Sequence, residues 1–513
     1  MRPNILLITA DQWRGDSYGA AGHPVVRTPA IDALAAEGVC FLRHFSQAAP
    51  CSPGRASLYT GLYQMNHRVL RNGTPLDARH DNLAKALARE GYRPTLFGYT
   101  DQAVDPRTTA PDDPRLATYE EVLPGFEVAV KLPEDNAAWF AWLRERGHQQ
   151  PEDWRGMYWP EAGKPALPDR APPRYSQDET ETAFLAGAFL DWLGEQPQGE
   201  PWCAHLSFLR PHPPFVVPAP FNDLYDPAAG PDFRRAASAA AEAAQHPYLR
   251  YWLDTTQAGS FCMVDPPEGR VADWPEEAFR TVRATYWGMI SEVDRQIGRL
   301  VERLKAAGAW DSTVIALTSD HGEMMGDHWT LGKFGYFDQA YHVPLILRDP
   351  RHRAGFGGRV DAFTEAVDVV PTLLEVAGAR RDGPADGRSL APFLRGEAPA
   401  DWRCEAHWEF DFRDAATGAP QRTLGVDLDD CSLAVIRGER WKYVHFAGLP
   451  PLLFDLVDDP GELTNRAEDP ACLAARLDMA EKLLAWRSRH QDRRLTGWSL
   501  TPGGPYDARA STP

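Results

Sequence analysis

Cysteine is scarce and scattered in this chain. Its seven cysteines, at 40, 51, 203, 262, 404, 431 and 472, make no CxxC pair and no even-spaced framework, which excludes a disulfide-stapled module and fits a reduced, cytoplasmic setting. Positive charge is also in deficit. With 54 Lys and Arg against 72 Asp and Glu, the formal net charge is −18, which excludes nucleic acid and anionic membrane as general partners, since both need a basic surface. Long apolar runs are missing too. No window reaches transmembrane length, and the run in "MRPNILLITADQW" is too short for a signal peptide and ends at Asp11. No repeat or low-complexity tract stands out. What is present is a globular composition, 43% hydrophobic and 25% charged over 513 residues, enough chain for a large core and more than one domain.

The apolar pattern is that of an α/β protein. "NILLIT" (4–9) reads as a buried parallel strand that delivers Asp11 and Gln12 at its carboxyl end. "TPAIDALAAEG" reads as a helix with Thr28 as N-cap, Pro29 at the first position and Gly38 as stop. "NLAKALAREG" (82–91) and "ETAFLAGAFLDWL" (181–193) are helices leading into "RPTLFGYT" and the strand "WCAHLSF" (202–208). A long helix over 276–306 precedes the buried strand "TVIALTSD" (313–320). The alternation implies a large, mostly parallel sheet flanked by helices, in which ligands bind beyond the carboxyl ends of the strands. The texture changes near residue 398, which divides a catalytic domain (1–398) from a C-terminal α+β subdomain (399–513). There "CEAHWEFDF", "CSLAVIRG", "RWKYVHF" and "LLFDL" have the spacing of a small antiparallel sheet, and "LAARLDMAEKLLAWRSRH" closes as a helix. Residues 210–275 read as an insertion near the ligand edge, and the tail "TPGGPYDARASTP" as extended or disordered chain.

Three readings fit the stretch "APCSPGRASLYTG" (49–61). Cys51 is a buried structural residue at a helix start, or a thiolate activated by the helix terminus and Arg55, or a residue altered after translation. Elsewhere, Asp11-Gln12 and Asp320-His321 end two strands and together make a mixed oxygen and nitrogen site for a divalent cation. A thiol is not the hard ligand such a site wants, and that mismatch bears on Cys51.

These residues resemble the formylglycine-dependent sulfatases of the alkaline phosphatase superfamily. "CSPGR" matches their C-x-P-x-R motif, "SDHGE" their later strand end, and "LFDLVDDPGELTNRAEDP" (453–470) their C-terminal segment. In that family the cysteine becomes formylglycine, whose hydrated aldehyde is nucleophile and metal ligand. The familiar arylsulfatases carry G-K-W-H-x-G where this chain has "LFGYTDQAVDPRTT", and they carry Asp and Asn where it has Gln12 and His321. Fewer carboxylates and an added nitrogen favour Mn²⁺ over Ca²⁺, with Mg²⁺, Zn²⁺ and Fe²⁺ as other candidates. "MNHRVLRNGTPLD", "LRPHPPF" and "EFDFRD" extend the likeness to the phosphonate monoester hydrolase/phosphodiesterase branch.

The resemblance implies that Asp11, Gln12, Asp320, His321 and the formylglycine at Cys51 hold one metal ion. Arg55 orients the diol, Asn72 and Tyr99 bind substrate, and His212 and Lys333 serve catalysis, including protonation of the leaving group. It further implies phosphonate, phosphodiester and sulfate esters as substrates, a formylglycine-generating enzyme for maturation, and a homo-oligomer, a tetramer among its forms. Asp101 departs from the hydroxyl residue expected two positions after Tyr99 and would repel an anionic substrate. A sulfatase proper, aryl- or choline-sulfatase-like, is the alternative, and a metal-binding protein without catalysis the distant one. Relative turnover of a phosphonate monoester and a sulfate ester separates the first two.

Overall fold

The structure, a computed structural model, describes residues 2–508 apart from 198 and 266. Strands β1 (Asn4–Ala10), β2 (Val39–Phe41), β3 (His44–Phe45), β4 (Pro94–Gly98), β5 (Glu127–Lys131), β6 (Cys203–Phe208), β7 (Thr313–Thr318), β8 (Leu345–Arg348), β9 (Gly358–Val360) and β10 (Thr364–Glu365) precede the C-terminal part. Eight of them form one sheet in the order β5-β4-β6-β1-β7-β8-β2-β9, while β3 pairs with β10. Within the large sheet β8 runs antiparallel to both its neighbours, and every other pairing is parallel. The direction of β8 was not readable from "LILR", because a short buried run carries no polarity signal.

Alternation along β1 divides the core. Leu6, Ile8 and Ala10 pack with the helices Glu181–Glu195 and Glu276–Ala306 on one face, and Ile5 and Leu7 with Cys51–Thr60, Leu83–Arg89 and Val369–Ala377 on the other. Both faces must be covered because parallel strands this apolar cannot face water. Thr28 does not cap the helix Pro29–Ala36. Its hydroxyl accepts from Gly19 N–H and donates to Asp32, and Asp294 on the long helix instead accepts from the Ala30 and Ile31 N–H groups at 3.3 and 2.8 Å.

In the C-terminal part, β11 (Ala406–Asp411), β12 (Ser432–Arg437), β13 (Trp441–Phe446) and β14 (Leu452–Asp455) form an antiparallel sheet in sequence order. The helix Leu473–His490 lays Met479, Leu483 and Trp486 against Ile436, Tyr443 and Leu453. Leu433 and Val435, on the opposite face of β12, join a cluster with Phe45, Tyr248 and Tyr341. The 210–275 insertion therefore bridges the two parts: Tyr248 lies 5.1 Å from Phe412, and Trp252 stacks on Phe334 at 4.2 Å. The motif "DPGELTN" has a matching structural job. Buried Lys442 donates to Glu462 at 2.6 Å and to Asp338 at 2.8 Å, and Asn465 accepts from the Leu453 and Ala467 N–H groups.

The tail is not simply extended. Trp498–Thr501 (β15) and Gly504–Asp507 (β16) pair as an antiparallel hairpin; residues 509–513 lie outside the described residues. No helix among the described residues is long and apolar enough to cross a membrane.

Candidate active site

Strands β4, β6, β1 and β7 lie side by side, and the chain leaving their carboxyl ends carries Tyr99 and Asp101, His212, Asp11 and Gln12, and Asp320 and His321. Residue 51 reaches them from the first turn of the helix Cys51–Thr60, fully buried. That approach needs Gly54: a Cβ there would sit 2.6 Å from the Asp320 carbonyl oxygen. Gln12 takes a left-handed φ of 66°, held by its N–H to Asp320 at 3.2 Å and by the Tyr286 hydroxyl on its carbonyl at 2.7 Å.

Asp11, Cys51, Asp320 and His321 each present a ligand atom within 4.8 Å of the others, all buried. His321 donates Nδ1–H to the Gly322 carbonyl at 3.1 Å, so Nε2 is the lone-pair nitrogen, and it points at the Cys51 sulfur 3.3 Å away. Burial and Lys333 pull this imidazole down to about 3, keeping it neutral. Burial opposes ionised Asp11, but His212, Lys333 and Arg55 hold its carboxyl well below the usual range; burial and Asp11 together push Asp320 up. Arg55 clamps the pair, with Nε to Asp320 at 2.8 Å and Nη2 to Asp11 at 3.0 Å. Its Nη1 is spent on the Tyr99 carbonyl and the Ser207 hydroxyl. The Tyr99 hydroxyl donates to Asp11, and its ring lies 4.1 Å from the Arg55 guanidinium.

Burial, with Asp11 beside it, pushes the Cys51 thiol well up, and Lys333 does not reverse the shift. That direction works against the thiolate of the second sequence reading. Lys333 Nζ lies 3.1 Å from the sulfur and 2.7 Å from Gln12 Oε1. Burial works against its charge, but residue 51, Asp11 and Asp320 outweigh that and raise it. Asn72 accepts from Ser52 N–H at 3.0 Å, so one side chain both caps the helix and borders residue 51. His212 directs Nδ1–H to the Pro213 carbonyl at 2.8 Å, leaving Nε2 toward the pocket, and burial and Lys333 draw it down to about 4.

The sulfatase family profile matches residues 3–379. The chain belongs to the sulfatase family. A second profile, N-sulphoglucosamine sulphohydrolase, C-terminal, matches 326–489. The phosphonate monoester hydrolase of Agrobacterium radiobacter superposes with a TM-score of 0.96 at 56% identity, covering 99% of each chain. The phosphonate monoester hydrolase SpPMH from Silicibacter pomeroyi gives 0.91 at 39%, covering 100% of each. The multifunctional alkaline phosphatase superfamily protein PehA of Trinickia caryophylli is 42% identical over 510 residues, 98% of both chains. The protein is thus a sulfatase-family hydrolase whose fold and sequence place it beside the phosphonate monoester hydrolases.

Three acids of this sulfatase-family site carry roles or positions that motifs alone do not assign. Glu323 of "SDHGE" is buried and pushed up to about 7 by that burial. It receives Gln12 Nε2 and the Met325 and Gly332 N–H groups, tying the first strand end to the lysine-bearing loop. Asp101, at φ 53°, is buried; Ser52 Oγ donates to its Oδ2 at 2.9 Å, and burial lifts it to about 8. Glu134 enters from the loop after β5. "KLPEDN" contains no pattern that would have flagged it.

Proposed function

We propose that this protein hydrolyses phosphonate monoesters and phosphodiesters, with sulfate esters as secondary substrates, using one divalent cation and a formylglycine made from Cys51. The observation that carries the reading is the setting of residue 51: a thiol whose ionisation burial opposes, yet surrounded by a lone-pair imidazole, an ammonium and two carboxylates. The solved relatives at 56% and 39% identity are named for phosphonate monoester hydrolysis, which favours phosphorus over sulfur as the reacting centre.

The donor set fits a cation. His321 Nε2 is fixed as an acceptor by the Gly322 carbonyl, and it lies 3.7 Å from Asp11 Oδ1, which has a 4.0 Å contact from the thiol. Asp11, Gln12, Asp320, His321 and residue 51 would hold the ion, and nitrogen donors with few carboxylates favour Mn²⁺. When bound, the ion supplies charge neutralisation and acidifies the aldehyde diol that serves as nucleophile. Arg55 fixes both carboxylates. Lys333 brings positive charge to the non-bridging oxygens, and Asn72 borders the same space. Tyr99 acts on substrate through Asp11. Because His212 Nδ1 is committed, proton donation to the leaving alcohol requires Nε2 to be loaded first, a step that a bound anion favours. Lys333 is already protonated.

A formylglycine-generating enzyme and a cytoplasmic location complete the reading, the latter supported by seven free cysteines. The test is chemical. Active protein is expected to yield an aldehyde-reactive peptide spanning residue 51, with activity proportional to the converted fraction. Full activity in protein whose Cys51 alkylates completely overturns it.

A further inference from the structure

Glu134 stands in the pocket with no hydrogen-bond donor to its carboxylate among the described residues. A carboxylate oxygen of its side chain lies within 4.8 Å of both the residue-51 sulfur and a His212 ring nitrogen. His212 Nε2 is 4.0 Å from Oε1, too far for a hydrogen bond. No described residue donates to this carboxylate, and the neighbouring ammonium groups are committed elsewhere, Lys131 to Glu121 and Lys333 to Gln12 and residue 51. Two more carboxyl side chains lie near it. Glu120 accepts the Glu134 N–H, and Asp101 Oδ1 is buried with no hydrogen-bond partner. Glu134 also lines a groove of about 500 Å³ with Asp135, Phe140, Trp154 and Arg144, whose guanidinium is turned to Gln150; the Phe140 and Trp154 rings are 6.1 Å apart.

A carboxylate this close to the nucleophile works against an anionic ester, and a positive charge carried by the substrate would offset it. The groove supplies the direction of that charge. Glu134 is the residue shared between pocket and groove, and neither Asp11 nor Asp320 lines the groove, so it belongs to the departing alcohol rather than to the oxygens held near the two aspartates. We propose that Glu134 recognises an ammonium group on the leaving alcohol, making amino-alcohol esters of phosphonic and phosphoric acids the preferred substrate class. Phe140 and Trp154 suit the same group, since aromatic faces attract alkylammonium ions. The inference rests on the hydrolase reading above and adds the leaving-group class.

The experiment compares kcat/KM for the 2-aminoethyl and propyl esters of methylphosphonate in aldehyde-bearing wild type and in Glu134→Gln. An ammonium also makes its alcohol a better leaving group, so the informative quantity is the change in the ratio of the two esters from wild type to variant, in which intrinsic reactivity cancels. A charge-assisted contact predicts that the ratio falls roughly tenfold or more in Glu134→Gln. Glu134→Lys should invert the preference toward a carboxylate-bearing ester. An unchanged ratio in both variants overturns the proposal. So does an equal loss on both esters, which would make Glu134 a positioning residue for His212. Failure of the wild type to hydrolyse either ester overturns the hydrolase reading, and this inference with it.

Discussion

His321 owes its role to one hydrogen bond. A carbonyl can only accept, so Gly322 forces the ring proton onto Nδ1 and leaves Nε2 bare among Asp11, Asp320 and residue 51. An asparagine there would offer an oxygen instead and suit a harder ion. Removing metal with a chelator is therefore expected to abolish turnover, and re-addition of Mn²⁺ to restore more activity than Ca²⁺. In His321→Asn the gap between the two ions should narrow. Activity and bound metal, measured side by side after re-addition, check this; equal rescue of the wild type by both ions would remove the chemical argument for Mn²⁺.

The helix Glu276–Ala306 shows how one element docks two others through buried acids. Asp294 caps Pro29–Ala36, and Glu292 Oε1 accepts from both Gln296 and Thr180, the residue that caps Glu181–Glu195. Burial pushes Glu292 up from 4.5 to about 7. A carboxyl raised on folding binds its proton more tightly in the native state, so its stabilising contribution is complete below pH 4.5 and is lost as pH rises through about 7. Glu292→Gln keeps an acceptor oxygen for both donors and does not titrate. Relative to wild type it should gain on the order of 3 kcal/mol between pH 4 and pH 8, read from denaturant unfolding at each pH; a constant difference would mean that Glu292 does not change protonation there. At this scale the sequence was informative where a period and a strand end coincide, as at Asp11 and Asp320. The hairpin of β15 and β16 also had a signal, the alternation of Trp498 and Leu500, but "TPGGP" read as coil. Glu134 had none, because a loop residue gains its meaning only from the distant strands that fold beside it.

Across the whole molecule, that hairpin and the chain leading into it present apolar side chains to solvent, with Leu500 88% and Leu495 78% exposed beside half-exposed Trp498 and Tyr506. Such an exposed apolar patch is what an interface between copies uses, as the expected homo-oligomer would require. Replacing Trp498 and Leu500 by lysine is expected to reduce the mass in solution to that of a single chain, measured by light scattering, while leaving the unfolding of the main body unchanged. An unaltered mass would place the interface elsewhere.

The burial of residue 51 also sets a timetable. The sulfur lies at the first turn of a covered helix, beneath Lys333 and against His321, where no second enzyme could reach it without dismantling the sheet edge. The proposed conversion to the aldehyde would therefore have a deadline, falling on the nascent or still-open chain. On that reading a molecule that folds first would be sealed as a thiol, and the active fraction of a preparation would record a race between modification and folding.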